Sequence, residues 1–365
     1  MPIGLPPPAC RVQFRRRLLA WYRRHARDLP WRRTKDPYHV WLSEIMLQQT
    51  QVGTVKAYFQ RFVERFPTIA ALAEANEEEV LRLWEGLGYY RRARQLHQAA
   101  KVIRAEHAGR FPSDRDAVRR LPGIGRYTAG AILSIAFDAR EPILEANTTR
   151  LFTRLLGYRG DPASAEGTRL LWSAAEAVLP RSNVGAFNQA LMELGSQVCI
   201  ARPPQCDQCP AALLCRARAL GIQHEIPRPR AKRALEARHE AAVIVRRRGR
   251  VLLVRRPDHG RWAGLWDFPR FAVDGLEPDR LPEAIAEQIQ QQTGACIRVG
   301  RRLTTIRHGV TRFRITLDCY EAECVSGASR PADPSALRWL KPSELEGYPL
   351  STTGRQLGRL AGEGK

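Results

Sequence analysis

The chain has 365 residues, enough for two or three domains that each bury a core, and it carries a formal net charge of +22. So basic a balance points to an anionic polymer as partner, although by itself it establishes only solubility and stickiness. No apolar run approaches a membrane span, and the N-terminal MPIGLPPPACRVQFRRRLL carries charges where a signal peptide needs its apolar core, so a soluble, cytoplasmic protein with no membrane partner is expected.

From about Val12 to Arg27 the apolar positions Leu18, Leu19 and Tyr22 recur among arginines, which predicts an amphipathic basic helix that DLPWRRTKDPY then breaks. WLSEIMLQQTQV follows, with a helix expected from near Trp41. Its Glu44 sits among bulky apolar residues, where a raised pKa would suit a general acid at neutral pH. Taken alone, the same residue also fits an exposed glutamate in a first helical turn. Further on, Ser113 is expected to cap a helix through Val118, and LPGIGRYT to turn the chain into a second helix over Ala129–Phe137. Without a Cβ at Gly123 and Gly125, a phosphate can approach the free N–H groups at that helix N-terminus, a grip that reads no base sequence. An acid, Glu145, follows the second helix, two residues before Asn147.

Of eight cysteines, four are packed into C-x6-C-x2-C-x5-C: Cys199, Cys206, Cys209 and Cys215. That spacing suits either an iron–sulfur cluster or tetrahedral zinc, although zinc usually takes two close pairs and only one is present. After Cys215, RARALGIQHEIPRPRAKRALEARHE reads as an exposed linker. Beyond it AAVIV and RVLLV flank RRRGR like a hairpin, and Phe313, Ile315, Leu317 and Cys319 alternate as in a half-buried strand, so a mixed β domain is expected.

WLSEIMLQQTQV, GLGYYRRAR, LPGIGRYTAGAI and FNQALMELGSQVC, in that order and followed by the four-cysteine loop, resemble the MutY-type adenine DNA glycosylases over essentially the whole chain. The resemblance implies a multidomain α + α/β protein. An all-helical helix-hairpin-helix domain over 8–216 would include a [4Fe-4S] loop at 199–215, and a linker over 217–238 would lead to a Nudix-like domain over 239–362. Its implied activity is hydrolysis of the N-glycosidic bond of adenine mispaired with 8-oxoguanine or guanine in double-stranded DNA, by a monomer that is nucleoid-associated when bound.

In that frame Glu44 protonates the flipped adenine and Glu145, with Asn147 beside it, stabilises positive charge on the sugar, the logic of glycoside hydrolysis applied to a nucleoside. Arg27, Trp31, Leu47, Gln48 and Gln189 shape the base pocket, Gln49 and Tyr89 occupy the gap left in the stack, and Leu121, Gly123, Gly125 and Arg126 belong to the hairpin that holds the backbone. Bifunctional relatives of the endonuclease III type place a lysine where this chain has Tyr127. A tyrosine forms no Schiff base, so an abasic site without strong lyase activity is expected.

Three departures stand out. Where the family has Asp-Gly-Asn, this chain has Glu145-Ala146-Asn147, one methylene longer and without glycine's freedom at positive φ. A slow enzyme, another target such as thymine in T:G, or a lesion-binding protein that no longer cuts are the alternatives this raises. The family's Phe-Ser-His recognition loop is replaced by Val310, Thr311 and Arg312. On the segment resembling the Nudix helix, glutamines such as Gln291 and Gln292 stand in for the magnesium-binding glutamates, so no free nucleotide hydrolysis is expected.

Overall fold

The computed structural model describes residues 7–228, 234–327 and 336–363. It divides into two units, Met1–Glu74 with Gln95–Ala231 and Ala75–Arg94 with Lys232–Lys365. Residues 75–94 make most of their contacts with the C-terminal half and are described with it. Among the described residues no helix is long and apolar enough to cross a membrane.

The first unit is helical. It opens with α1 (Pro8–His25), α2 (Pro37–Leu47), α3 (Val52–Arg65) and α4 (Ile69–Glu74), while α5 (Glu77–Leu83) belongs to the other unit and the boundary falls within α6 (Arg91–Glu106). It continues through α7 (Arg115–Arg120), α8 (Arg126–Phe137), α9 (Ala146–Leu156), α10 (Ala165–Ala177), α11 (Val184–Gln197) and α12 (Arg216–Ala219). Phe14, Leu18 and Trp21 of α1 pack with Leu151, Phe152, Phe187, Leu191 and Leu194 from α9 and α11 in one core. Full burial of each such side chain contributes about 1.5–3 kcal/mol.

Three helix starts correct the sequence expectations, and each has a local cause. α1 begins at Pro8, whose fixed φ suits a first turn, rather than near Val12. α2 begins at Pro37, not Trp41, because Asp36 Oδ1 accepts the Tyr38 N–H at 2.8 Å. Eight of its eleven residues are buried, so α2 is a central helix. α7 is capped by Asp114 rather than Ser113, through the Ala117 N–H at 2.8 Å.

The α7–α8 turn needs glycine at one place. Gly123 has φ of +78°, and a Cβ there would stand 2.9 Å from Gln95 Cβ. Gly125 is extended, with φ of −87°, and nothing lies within 4 Å of where its Cβ would be. The stretch read as linker is partly packed: Ala217 of α12 forms a small core with Ile222 and Ile226, and Arg154 Nε donates to the Ile226 carbonyl at 3.0 Å.

Among the described residues the second unit is built on a seven-stranded sheet of β1 (Glu236–Arg247), β2 (Arg250–Arg255), β3 (Trp266–Asp267), β4 (Arg270–Ala272), β5 (Cys296–Val310), β6 (Phe313–Ser326) and β7 (Leu337–Leu340). The order is β3-β2-β1-β6-β5, with β4 also on β1 and β7 on β2; β1 and β6 run parallel and every other pair is antiparallel. Strand alternation explains its layers. Ala242 and Ile244 of β1 face a core shared with α14 (Thr352–Glu363), whereas Ala241, Val243 and Val245 face one shared with α13 (Leu281–Thr293). The expected hairpin across RRRGR is present, closed by Arg248 and Gly249 at positive φ. Gln291 and Gln292 are exposed near the end of α13.

Candidate active site

A cleft of about 480 Å³ opens in the helical unit, between the segment before α2, the end of α2, the N-terminal turns of α8 and α9, and one face of α11. Glu44 lies on its α2 wall and is only 6% exposed. The hydroxyl of Tyr127, second residue of α8, donates to Glu44 Oε2 at 2.7 Å. Burial pushes the Glu44 carboxyl up to about 7, and the nearby Glu145 carboxylate adds to this; Tyr127 and Arg32 pull the other way without offsetting it. Burial, with the charges of Glu44 and Glu145, drives the Tyr127 phenol well above its usual range, so it remains a donor.

Glu145 caps α9. Its Oε2 accepts the Asn147 N–H at 2.7 Å and its Oε1 the Thr148 N–H at 2.8 Å, while Thr148 Oγ1 accepts the Glu145 N–H at 2.8 Å. Such reciprocal capping fixes the carboxylate at the positive end of the helix dipole. Ala146 is the first helical residue and is not among those at positive φ, so glycine's freedom is not needed there. Asn147 Oδ1 accepts from Arg150 Nη2 at 2.8 Å, and Arg150 also donates to the carbonyls of Gly195 and Cys199, each at 2.7 Å.

The opposite wall is organised by a carboxylate that the sequence reading missed. Glu193 of α11 accepts from Arg27 Nε at 2.7 Å and Nη2 at 2.9 Å, from the Arg27 N–H at 3.0 Å and from Arg32 Nη2 at 2.7 Å; Gln197 Nε2 also donates to it. Burial alone would raise this acid, but the two guanidiniums prevail and hold it at about 2. Met192, whose Sδ lies 3.3 Å from Tyr127 Oη, and Ser196 line the same wall. Arg27 and Glu193 are 166 positions apart, so no local spacing announces the pair.

Arg27, Trp31, Glu44, Leu47, Gln48, Gln49, Tyr127, Glu145, Asn147 and Gln189 all line this cleft. Gln189 Oε1 accepts from the Tyr22 hydroxyl at 3.1 Å, Gln48 Nε2 lies 3.4 Å from Thr128 Oγ1, and Gln49 has a left-handed φ of 57°. The hairpin residues are not brought into it. Leu121 is buried as the C-cap of α7, Gly125 is the N-cap of an α8 that no side chain caps among the described residues, and the Arg126 guanidinium lies 3.8 Å over the Trp172 ring.

Tyr89, Thr311 and Arg312 belong to the second unit. Thr311, with φ of 51°, and Arg312 form the two-residue turn between β5 and β6; Arg312 Nε is 3.2 Å from Glu236 Oε1, and its guanidinium is 5.0 Å from the Phe313 ring.

Cys199, Cys206, Cys209 and Cys215 are unpaired thiols lining one small cavity with Arg154. Arg154 is 3% exposed and donates to Cys199 Sγ at 3.4 Å and to the carbonyls of Ile200 and Ala201 at 2.6 and 2.9 Å. Among the described residues, no three His, Cys, Asp or Glu side chains meet the geometry of one bound metal ion.

Comparison with known proteins places both units. Residues 42–177 match the HhH-GPD superfamily of base excision DNA repair proteins, and residues 240–358 match a NUDIX domain. An adenine DNA glycosylase of Mus musculus is 33% identical across 95% of this chain and 77% of its own length. One from Mycolicibacterium smegmatis is 44% identical across 56% of this chain and 69% of its own. Among solved structures, that of a thermostable thymine-DNA glycosylase is 30% identical, covers 58% of this chain and 98% of its own, and superposes with a TM-score of 0.54. The chain therefore belongs to the adenine DNA glycosylase family, base-excision repair enzymes, and joins a helical glycosylase unit to a Nudix-like C-terminal unit.

Proposed function

We propose that Glu44 is the general acid of this glycosylase and Glu145 the anion that stabilises the sugar cation, acting on adenine opposite 8-oxoguanine or guanine in duplex DNA. The observation that carries this is the buried Glu44 carboxyl, with a neutral phenol as partner and a pKa of about 7, sharing one cleft with the capped Glu145. Adenine must leave the stack to enter such a cleft. Glu44 gives its proton to a ring nitrogen of adenine, and the C1′–N9 electron pair leaves with the base. The oxocarbenium ion left at C1′ faces the Glu145 carboxylate, held by the Asn147 and Thr148 N–H groups. Water then adds at C1′ and returns a proton to Glu44. Tyr127 supplies no amine, which supports simple hydrolysis to an abasic site.

The Glu193–Arg27–Arg32 cluster gives the opposite wall fixed donors for a base edge, and Gln189 adds an amide. Gln49 and the exposed Tyr89 are the side chains proposed for the gap in the stack. The α7–α8 hairpin is the proposed phosphate grip, and the Thr311–Arg312 turn the proposed reader of the opposing base. The protein is proposed to act as a monomer on chromosomal DNA in the cytoplasm.

Four unpaired thiols around one cavity, with a buried guanidinium against one sulfur, fit a [4Fe-4S] cluster held by Cys199, Cys206, Cys209 and Cys215. When bound it would tie down the loop and take no part in the reaction at the sugar. Iron and acid-labile sulfide in the purified protein, lost in Cys206→Ser, are the expected result. The catalytic assignment is tested by single-turnover adenine release: Glu44→Gln and Glu145→Gln should each slow it by about 100-fold or more, and a fully active Glu44→Gln would refute it.

A further inference from the structure

Between α5 and α6 the segment 75–94 makes a turn whose geometry is costly and whose aromatic residue is not buried. Gly86 and Gly88 have φ of 97° and 72°, and Tyr89 follows at 49° while remaining 51% exposed. A tyrosine held left-handed persists only where its surroundings over-determine the backbone. Here they do so from within. Arg92 Nη2 donates to the carbonyls of Leu87 and Gly88 at 3.2 and 3.1 Å, and Trp84 Nε1 donates to Gly88 at 3.1 Å.

The turn is also fastened at its base. Arg355, from the first turns of α14, meets Glu85 with two parallel bonds of 2.8 Å, Nε to Oε1 and Nη2 to Oε2. Its Nη1 also donates to the carbonyl of Leu345 at 2.7 Å and its Nη2 to that of Tyr348 at 2.8 Å. Tyr90 Oη accepts the Gly86 N–H at 3.3 Å and donates to the Leu350 carbonyl at 3.4 Å. The pair is mostly shielded, with side chains 20% and 12% exposed. A bidentate guanidinium–carboxylate pair fixes orientation as well as distance.

We infer that the Glu85–Arg355 clasp holds the Tyr89 turn in the shape that engages DNA, which makes Arg355, on the last helix of the chain, a positioning residue for adenine excision. This rests on the reading that Tyr89 stacks against the duplex, as an exposed ring held on a rigid turn can. The clasp restricts the turn before DNA arrives, so the ordering cost does not fall on the binding step.

The test is a double-mutant cycle on the full-length protein. Its readouts are the affinity for an A:8-oxoguanine duplex whose adenosine carries 2′-fluoro to block cleavage, and the single-turnover rate on the cleavable duplex. Tyr89→Ala should weaken binding about tenfold, the size of a lost stacking contact. Arg355→Met and Glu85→Gln should each weaken it by about threefold to tenfold, and by less than about twofold when Tyr89 is already alanine. Charge alone predicts the opposite sign for Glu85→Gln, since removing an anion favours DNA. If Arg355→Met melts the unit, the isosteric Glu85→Gln carries the same cycle. Tyr89→Ala without effect refutes the stacking role. A damaging Tyr89→Ala combined with additive or absent effects at Glu85 and Arg355 refutes the clasp alone.

Discussion

Both units bury carboxylates, and their partners set them apart. In the C-terminal unit Glu240, 4% exposed, lies between Arg261 and Arg270; burial would raise its pKa, but the two guanidiniums outweigh burial and keep it below the usual range. In the helical unit Glu44 is about as buried, yet its hydrogen-bond partner is a neutral phenol and the Glu145 carboxylate repels it, so it rises to about 7. Glu193, across the same cleft, repeats the Glu240 pattern with Arg27 and Arg32. Burial alone therefore says little about function. A buried acid with no ion-pair partner keeps its proton to higher pH, and Glu44 is one that does so inside a cleft able to admit a base.

The comparison breaks most visibly at Glu44. Glu44→Gln is expected to slow single-turnover adenine release by about 100- to 10,000-fold, the range for loss of a general acid, while Glu240→Gln should leave the pH dependence of that step unchanged. Glu145→Gln, which keeps an acceptor for one N–H but loses the charge, should cost about 100- to 1,000-fold in the same assay. Glu145→Asp is sharper, because a faster variant would show that the longer side chain is a handicap to catalysis.

Stability separates the two kinds of acid again. Glu193→Gln or Glu240→Gln leaves two guanidiniums short of their counter-ion; the loss should approach about 3–5 kcal/mol at Glu240, whose partner Arg270 is 2% exposed, and be smaller at Glu193, where Arg27 is 37% exposed, both read from denaturant unfolding. Glu44→Gln should do the reverse. Its folded pKa of about 7 exceeds the ordinary 4.5, so the stability of the protonated form is complete below 4.5 and is lost as pH rises through 7. Glutamine mimics that form, so the variant should gain stability over the parent above pH 7 and the gain should vanish in acid.

Much of this site was legible from sequence, because its chemistry sits in contiguous motifs: WLSEIMLQQ delivers Glu44, Leu47, Gln48 and Gln49, and LPGIGRYT delivers Tyr127. Glu193 lies in FNQALMELGSQVC, but its role depends on Arg27 and Arg32, distant in sequence, so the motif alone does not announce it. The cap of α7 lies one place beyond Ser113, where Asp114 is an equally good cap, and α2 starts about one turn before Trp41, because Asp36-Pro37 serves both as a break and as a helix start. The concern over Ala146 dissolves because a first helical residue takes an ordinary negative φ. The grouping of residues 75–94 with the C-terminal half had no local signal, since it depends on long-range pairs such as Glu85–Arg355 and the 2.8 Å bond from Trp266 Nε1 to Glu78.

The central claim is that a buried, protonated Glu44 delivers the proton that lets adenine leave. The most direct measurement is the single-turnover rate of adenine release across a pH series on either side of 7, at saturating protein and constant ionic strength. The account predicts a plateau in acid and a fall of about tenfold per pH unit above an apparent pKa near 7. A rate that stays level from pH 6 to pH 9, about two units above that pKa, would contradict it.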